Sequence, residues 1–251
     1  MTTRIKTANE IGAMREGGKM LASVLRLLSE KLEPNISTKY LADIAAKELK
    51  SLGGQPAFLG YQGFPDVLCV SLNNEVVHGI PRASRIIRDG DIVSLDFGVQ
   101  YKGLITDSAI SLIAGKPKQR GHIQLIEDTL EALNIAINRV HDQVRTGDIG
   151  SVIENFLKRH NYGIVRDLVG HGVGHALHED PNIPNYGRAG SGPWLSRGMT
   201  IAIEPMVTLG TEEVVVDDDH WTVLTRDGSW AAHFEHTILV TKDGAEILTK
   251  I

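Results

Sequence analysis

Residues 90–111, GDIVSLDFGVQYKGLITDSAIS, read as two strands joined by a turn. Ile92, Val93, Leu95 and Phe97 fill the first strand; Leu104, Ile105 and Ile110, with Leu112 just beyond, fill the second. Gln100-Tyr101-Lys102-Gly103 lies between them. A two-residue loop at Tyr101-Lys102 puts Asp96 directly opposite Asp107, whereas a loop centred one residue later makes them diagonal neighbours. Both alternatives keep the carboxylates on one face, and only a bulge separates them. Opposed residues have Cβ atoms roughly 5 Å apart, and like charges there are destabilising. At that separation the repulsion is on the order of 3 kcal/mol at an effective dielectric of about 20. A shared proton, a basic partner or a metal has to offset it, unless the pair is simply solvated.

Around the hairpin the chain reads as helices and strands in a repeated order. Thr7-Ala8-Asn9-Glu10 is a capping-box start. Ile11, Met14, Leu21, Leu25 and Leu28 then recur at helical spacing to about Leu32. Ser37 caps a second helix, carrying Leu41, Ile44, Ala45 and Leu49, which Gly53-Gly54 ends. Gln55 to Ser84 is helix-poor, with Gly60, Gly63, Pro65, Gly79 and Pro81. After the hairpin a long helix is expected from near Gln119 to about Val144. One face would hold Ile123, Ile126, Leu130, Leu133, Ile137 and Val140. Thr146-Gly147-Asp148 reads as a break, Ile149 to His160 as a shorter helix, and the remainder as strand and loop.

Gly90-Asp91-Ile92-Val93-Ser94-Leu95-Asp96 parallels Gly198-Met199-Thr200-Ile201-Ala202-Ile203-Glu204, each a glycine with a carboxylate six residues on, at the end of an apolar strand. Asp107-Ser108-Ala109-Ile110 parallels Glu235-His236-Thr237-Ile238, and His78-Gly79-Ile80-Pro81 parallels His178-Glu179-Asp180-Pro181. The shared order implies an internal duplication, with halves of about 1–115 and 116–251. Each half buries its sheet best against the other. The expected fold is therefore a pseudo-symmetric α+β domain with a curved antiparallel sheet and helices on its outer face. No linker separates independent domains, so residues 1–251 read as one.

In that arrangement Asp96, Asp107, Glu204 and Glu235 converge, and four inward carboxylates need protons or cations. Val169-Gly170-His171-Gly172-Val173-Gly174-His175-Ala176-Leu177-His178 adds a histidine between glycines that open access to its imidazole. His175 reads as structural. Oxygen-rich ligation with one imidazole suits a pair of divalent first-row metals, and carboxylates shared between them imply a separation of about 3.5–4 Å. Metal-assisted hydrolysis is the reaction class this set points to.

The ordered residues Asp96, Asp107, His171, Glu204 and Glu235, with His78 and His178, resemble the methionine aminopeptidase family with the pita-bread fold. The motifs that carry the resemblance are Asn74 to Pro81, Gly170 to Gly174, Ile203-Glu204-Pro205 and Phe234-Glu235-His236-Thr237. It spans essentially the whole chain. Without an N-terminal extension, or a large helical insertion between His178 and Glu204, it looks like the compact type I form.

The resemblance implies that Asp96 and Asp107 hold one metal and that His171 and Glu204 hold the other, with Asp107 and Glu235 bridging. The two ions would be Mn, Fe, Co or Zn. A metal-bound hydroxide would attack the carbonyl after the first residue, and Glu204 would assist its proton transfer. His178 would stabilise the developing oxyanion, and His78 would contact the scissile amide or departing amine. The methionine side chain would be bound by Tyr61, Phe64, Cys69, His78, Leu177, His178 and Trp221, with Phe58 at the border. Leu177 stands where the family commonly has phenylalanine. Gly103-Leu104-Ile105-Thr106-Asp107-Ser108 departs from the aromatic, histidine and glycine that usually lead into the second aspartate.

Expected partners are N-termini of nascent polypeptides with a small second residue, with the ribosome as the place of contact, and the protein would act as a monomer. The other readings are a pita-bread peptidase acting on X-Pro bonds, such as aminopeptidase P or prolidase, and a non-catalytic binding scaffold. The X-Pro enzymes usually carry an additional N-terminal domain, for which Met1 to Glu10 leaves no room; a scaffold is expected to have lost ligands, and all five are kept.

Composition is consistent with an enzyme of this kind. A net charge of −5 offers no electrostatic case for nucleic acid or an anionic membrane. The single cysteine, Cys69, excludes an intramolecular disulfide framework and fits a reducing compartment. MTTRIKTANEIGAM lacks an apolar signal region, and no uninterrupted apolar run approaches membrane length. A soluble, cytoplasmic protein is expected. Glu212-Glu213 and Asp217-Asp218-Asp219 read as a solvated acidic loop rather than another metal site.

Overall fold

A computed structural model describes residues 4–250; Met1–Thr3 and Ile251, which the domain and N-terminal expectations also cover, lie outside it. The helices are α1 (Ala8–Lys31), α2 (Thr38–Leu52), α3 (Arg120–Arg139) and α4 (Thr146–Lys158). The first-half strands are β1 (Gln55–Pro56), β2 (Cys69–Leu72), β3 (Glu75–Val77), β4 (Ile92–Tyr101) and β5 (Leu104–Ile113). The second half contributes β6 (Gly163–Ile164), β7 (Gly170–Gly172), β8 (Glu179–Ile183), β9 (Thr200–Ile203) and β10 (Met206–Thr208). β11 (Val214–Val216), β12 (Val223–Thr225), β13 (Ala231–His233), β14 (Glu235–Val240) and β15 (Ala245–Ile247) complete it.

β4 and β5 pair without a bulge, and the loop is Lys102-Gly103. Asp96 therefore faces Ala109, and Asp107 faces Gly98, so the two aspartates are diagonal rather than opposed. Backbone sterics account for this choice. Lys102 and Gly103 have φ of 49° and 79°, and glycine takes the second position at little cost. The rejected loop would have asked this of Tyr101 and Lys102. Gly98 also has to lack a side chain, since a Cβ there would lie 2.5 Å from Cε1 of Phe58.

In the large sheet the path runs β1-β4-β5-β14-β9-β7-β8, with β2 added to β4 and β15 to β14. β5 meets β14 at its centre, Ala109 opposite Glu235 and Ser108 opposite His236. Each half thus contributes a hairpin-like strand pair, β4-β5 and β14-β9, to the middle of one antiparallel sheet. This is the α+β, pita-bread arrangement with duplicated halves.

Two cores lie under the helices. Leu21, Leu25 and Leu28 of α1 and Leu41 and Leu49 of α2 pack on Val93, Leu95 and Phe97 of β4. Leu125 and Leu133 of α3 and Ile149 and Ile153 of α4 pack on Ile201, Ile203 and Ile238. Side chains alternate across a strand, so the residues between these face the other side of the sheet: Asp96, Asp107 and Glu235. Helix packing on one face thereby aims the carboxylates at the other.

The first two helices follow their local signals. Thr7 Oγ1 accepts from the Glu10 N–H at 3.3 Å, while the Glu10 carboxylate accepts from the Thr7 N–H at 2.7 Å. Such a cap contributes about 1 kcal/mol. Ser37 caps α2, and Gly53 ends it in the left-handed region.

The second pair differs from expectation. α3 stops at Arg139, because Val140 turns extended and buries against the second core instead of continuing the helix. Ile123 and Leu130 are exposed, whereas Leu133 and Ile137 are buried as expected, on a face shared with His122, Leu125, Asp128, Thr129, Ala132 and Ala136. That face tolerates a polar residue because the Asp128 carboxylate accepts from Tyr162 Oη at 2.8 Å. α4 starts at Thr146, earlier than expected, since Asp148 caps it by accepting from the Arg145 N–H at 3.1 Å. Thr146-Gly147-Asp148 is a first turn, not a break. Among the described residues no helix is long and apolar enough to cross a membrane.

Candidate metal centre and active site

The residues expected to carry chemistry gather around one cavity of about 170 Å³. Asp96, Asp107, His171, Glu204 and Glu235 form its polar part; Tyr61, Phe64, Cys69, Leu177 and Trp221 its apolar part, with His78 and His178 between. Phe58 also lines it. So does Gln62, which sequence reading did not single out; its φ of 47° sets it in a tight turn at the rim.

Asp107, His171 and Glu235 can each offer one ligand atom within 4.8 Å of the others, and all three are buried. Asp96 and Glu204 flank this group. Burial raises the pKa of all four carboxylates, Asp96 to about 7, and their mutual repulsion adds to the effect for Asp107, Glu204 and Glu235. The residues themselves answer whether a divalent metal fits. Asp96 Oδ1, Asp107 Oδ1 and Glu235 Oε1 are buried with no hydrogen-bond partner. Anionic oxygens so placed are costly in an apolar core and are the donors a hard or borderline cation takes. His171 completes the set. Its Nδ1 lies 2.9 Å from the Gly172 carbonyl, to which it donates, leaving the Nε2 lone pair directed inward, 3.4 Å from Glu204 Oε1. Burial lowers the His171 pKa to about 3, so the ring is neutral and able to ligate.

The candidate ligands are held from behind. Thr237 Oγ1 accepts from the Asp107 N–H and donates to the Asp107 carbonyl, each at 2.8 Å. Ser108 Oγ donates to the Glu235 carbonyl at 2.6 Å, and Asn185 Nδ2 donates to that of Glu204 at 2.9 Å. Thr237 lies within the Glu235-His236-Thr237 motif, but only the β5–β14 pairing reveals its partner. His233 is a further residue sequence reading passed over. It is 2% exposed, and its Nε2 lies 3.7 Å from Glu204 Oε2. A signal was present: His233 and Glu235 are two residues apart in an extended segment and therefore share a face.

At the rim, the Tyr61 hydroxyl lies 2.7 Å from His178 Nδ1, and the His178 and His171 ring centroids are 4.3 Å apart. His78 takes a φ of 61° and is held neutral by burial, with its pKa near 4. Trp221 packs edge-on against Phe64 and His78. Burial, then the charge of Asp96, raises the Cys69 thiol well above its usual range, so it lines the pocket as a small apolar group. His175 sits apart, its Nε2 2.7 Å from Glu10 Oε1. The acidic loop is cross-linked rather than merely solvated: Glu212 pairs with Arg166, Glu213 with Arg226 and Asp219 with Arg82. Asp219 also accepts from the Trp221 and Thr222 N–H groups, which orients Trp221 at the cavity.

What the fold and this centre define is a metal-dependent hydrolase. Comparison with known proteins narrows the class. Residues 12–242 match Metallopeptidase family M24. The methionine aminopeptidase of Mycoplasma capricolum is 44% identical over 246 residues, covering 98% of each chain. That of Thermotoga maritima is 46% identical in its crystal structure, with a TM-score of 0.97 and full coverage of both chains. The chain belongs to the methionine aminopeptidases of family M24. The prolidase from Pyrococcus furiosus has the same fold at 24% identity and a TM-score of 0.79, but this chain spans only 65% of it.

Proposed function

We propose that this chain removes the N-terminal methionine from nascent proteins and peptides, preferring a small second residue. The observation that carries the reading is the set of unpartnered buried oxygens of Asp96, Asp107 and Glu235 beside an apolar cavity with room for one side chain. In this reading Asp96 and Asp107 would hold one divalent ion and His171 and Glu204 a second, with Asp107 and Glu235 serving both. The metals are two of Mn, Fe, Co or Zn. When bound, such a pair makes water acidic enough to act as a nucleophile at neutral pH and polarises a carbonyl oxygen.

The remaining roles belong to the chain. Tyr61, Phe64, Cys69, Leu177 and Trp221 enclose the methionine side chain and exclude water. The Tyr61 hydroxyl lies 2.7 Å from His178 Nδ1; in this reading it donates there, leaving Nε2–H of the neutral ring to donate to the substrate carbonyl oxygen as charge develops. Glu204 takes the proton released by the nucleophile and returns it to the leaving nitrogen, and neutral His78 hydrogen-bonds that nitrogen as it departs. The chain acts as one pita-bread domain with halves meeting near residue 115, as a cytoplasmic monomer that meets its substrates at the ribosome.

The test is hydrolysis of Met-Ala-Ser by EDTA-stripped protein, before and after addition of Mn, Fe, Co or Zn, alongside His171→Ala. Metal-dependent release of methionine that His171→Ala abolishes is the expected result. Cleavage of Ala-Pro with Met-Ala-Ser untouched would replace the reading with an X-Pro peptidase.

A further inference from the structure

Glu204 stands between two imidazoles. Oε1 faces His171 Nε2 at 3.4 Å, on the side where the other acidic donors converge. Oε2 faces His233 Nε2 at 3.7 Å. His233 ends β13 and pairs across the strands with Met206, two residues beyond Glu204. Its backbone is clamped: the His233 N–H donates to Ser111 Oγ at 2.8 Å, and the Ser111 hydroxyl donates back to the His233 carbonyl at 2.8 Å. Ser94 Oγ backs Ser111 at 2.7 Å. The backbone position is thereby fixed, yet neither ring nitrogen has a hydrogen-bond partner, although the residue is 2% exposed. A buried imidazole without partners is costly unless it serves a neighbour. The neighbour in reach is Glu204, one small side-chain rotation outside hydrogen-bond range.

We propose that His233 is a positioning residue for the metal centre: its Nε2–H donates to Glu204 Oε2, so that Oε1 alone turns toward the ion. The inference rests on Glu204 being a metal ligand. A ligating carboxylate whose second oxygen is hydrogen-bonded keeps one orientation and one coordination mode, and loss of such a partner costs about 10–100-fold in metal affinity. His233 touches neither the substrate nor the metal in this role.

The experiment is titration of the metal-free full chain with MnCl2 by calorimetry, with Mn(II) EPR on the same samples. It compares the wild type with His233→Leu, which fills the space without a donor, His233→Gln, which keeps one, and Glu204→Gln. His233→Leu is expected to bind Mn about 10–100-fold more weakly, with His233→Gln restoring most of the affinity. Lost packing alone would weaken both His233 variants alike, and that outcome would overturn the proposal, as would wild-type affinity in His233→Leu. If Glu204→Gln weakens Mn binding while His233→Leu does not, only the His233 role falls; if Glu204→Gln binds Mn like the wild type, the ligand assignment falls and takes this role with it. Should His233→Leu not fold, ¹⁵N-histidine NMR of the wild type decides the matter. The His233 ring is expected as the Nε2–H form, with a shift when Zn is added, and the Nδ1–H form would overturn the proposal.

Discussion

Asp107 and Thr237 exchange two hydrogen bonds across the join between β5 and β14, the Asp107 N–H to Thr237 Oγ1 and the Thr237 hydroxyl to the Asp107 carbonyl, both at 2.8 Å. The first half of the chain is thus fastened to the second at an expected metal ligand. Thr237→Val keeps the shape and removes both bonds, leaving a buried N–H and carbonyl without that partner. A loss of about 1–3 kcal/mol in urea unfolding is expected, with weaker Mn binding by calorimetry. Thr237→Ser should recover most of both.

Metal and protons compete for the same oxygens. Asp96, Asp107, Glu204 and Glu235 have folded pKa values raised above their unfolded ones, so in the metal-free protein the neutral forms favour the fold. That contribution is fully present below about pH 4 and is lost as pH rises through the folded values, near 7 for Asp96. His78, His171 and His233, with depressed values of about 3 to 4, act oppositely, weakening the fold as pH falls below about 6.5. Between about pH 7.5 and 8.5, where the histidines of the unfolded chain are already neutral, the carboxylate effect dominates. The Tm of EDTA-stripped protein should therefore fall across that window, whereas Mn affinity should rise, with protons released on binding. Calorimetry in buffers of different ionisation enthalpy measures the release.

Leu177 is 4% exposed and packs with Phe58, Phe64, Cys69 and Val173 in the cavity wall. Leu177→Ala enlarges the pocket and removes contacts with a bound side chain. A fall of about tenfold in kcat/KM for Met-Ala-Ser is expected, since a methylene or two in an apolar pocket is worth about 1–3 kcal/mol. Phe-Ala-Ser should be cleaved better by the variant than by the wild type.

Lys6 and Glu179 form a buried ion pair at 2.7 Å between segments remote in sequence. Glu179 also accepts from the N–H groups of His175 and Ala176, at 2.6 and 3.2 Å, and so anchors the turn that carries Leu177 and His178. Lys6→Met leaves this carboxylate buried without its cation, and a loss of about 3–5 kcal/mol in chemical denaturation is expected. The residual folded enzyme should show a lower kcat with its Mn affinity kept, because the anchored turn holds His178 rather than a ligand.

The expected ligands and the first two helices were legible because their signals are local. Thr7 and Glu10 cap within four residues, and carboxylates six residues beyond Gly90 and Gly198 stand out in apolar strands. The α3 boundary was not, because Val140 scores as another apolar helix position until a tertiary core claims it in an extended conformation. Ile123 and Leu130 misled in the same way: apolar spacing identifies a helix, but only packing selects which stripe is buried. Asp148 reads as part of a break in the sequence and is a cap in the fold, because the same residue type serves either use.

By itself the amino-acid sequence determined the candidate donor set, the duplicated order and the turn chemistry, because residue type and spacing carry these. Gly103 even held the hairpin register, through its tolerance of positive φ. Only the tertiary structure decided which groups stand behind the candidate ligands. Thr237 meets Asp107, and His233 meets Glu204, through strand pairings between distant segments. Such pairings depend on how two sheets' worth of side chains alternate and pack, which no local stretch specifies.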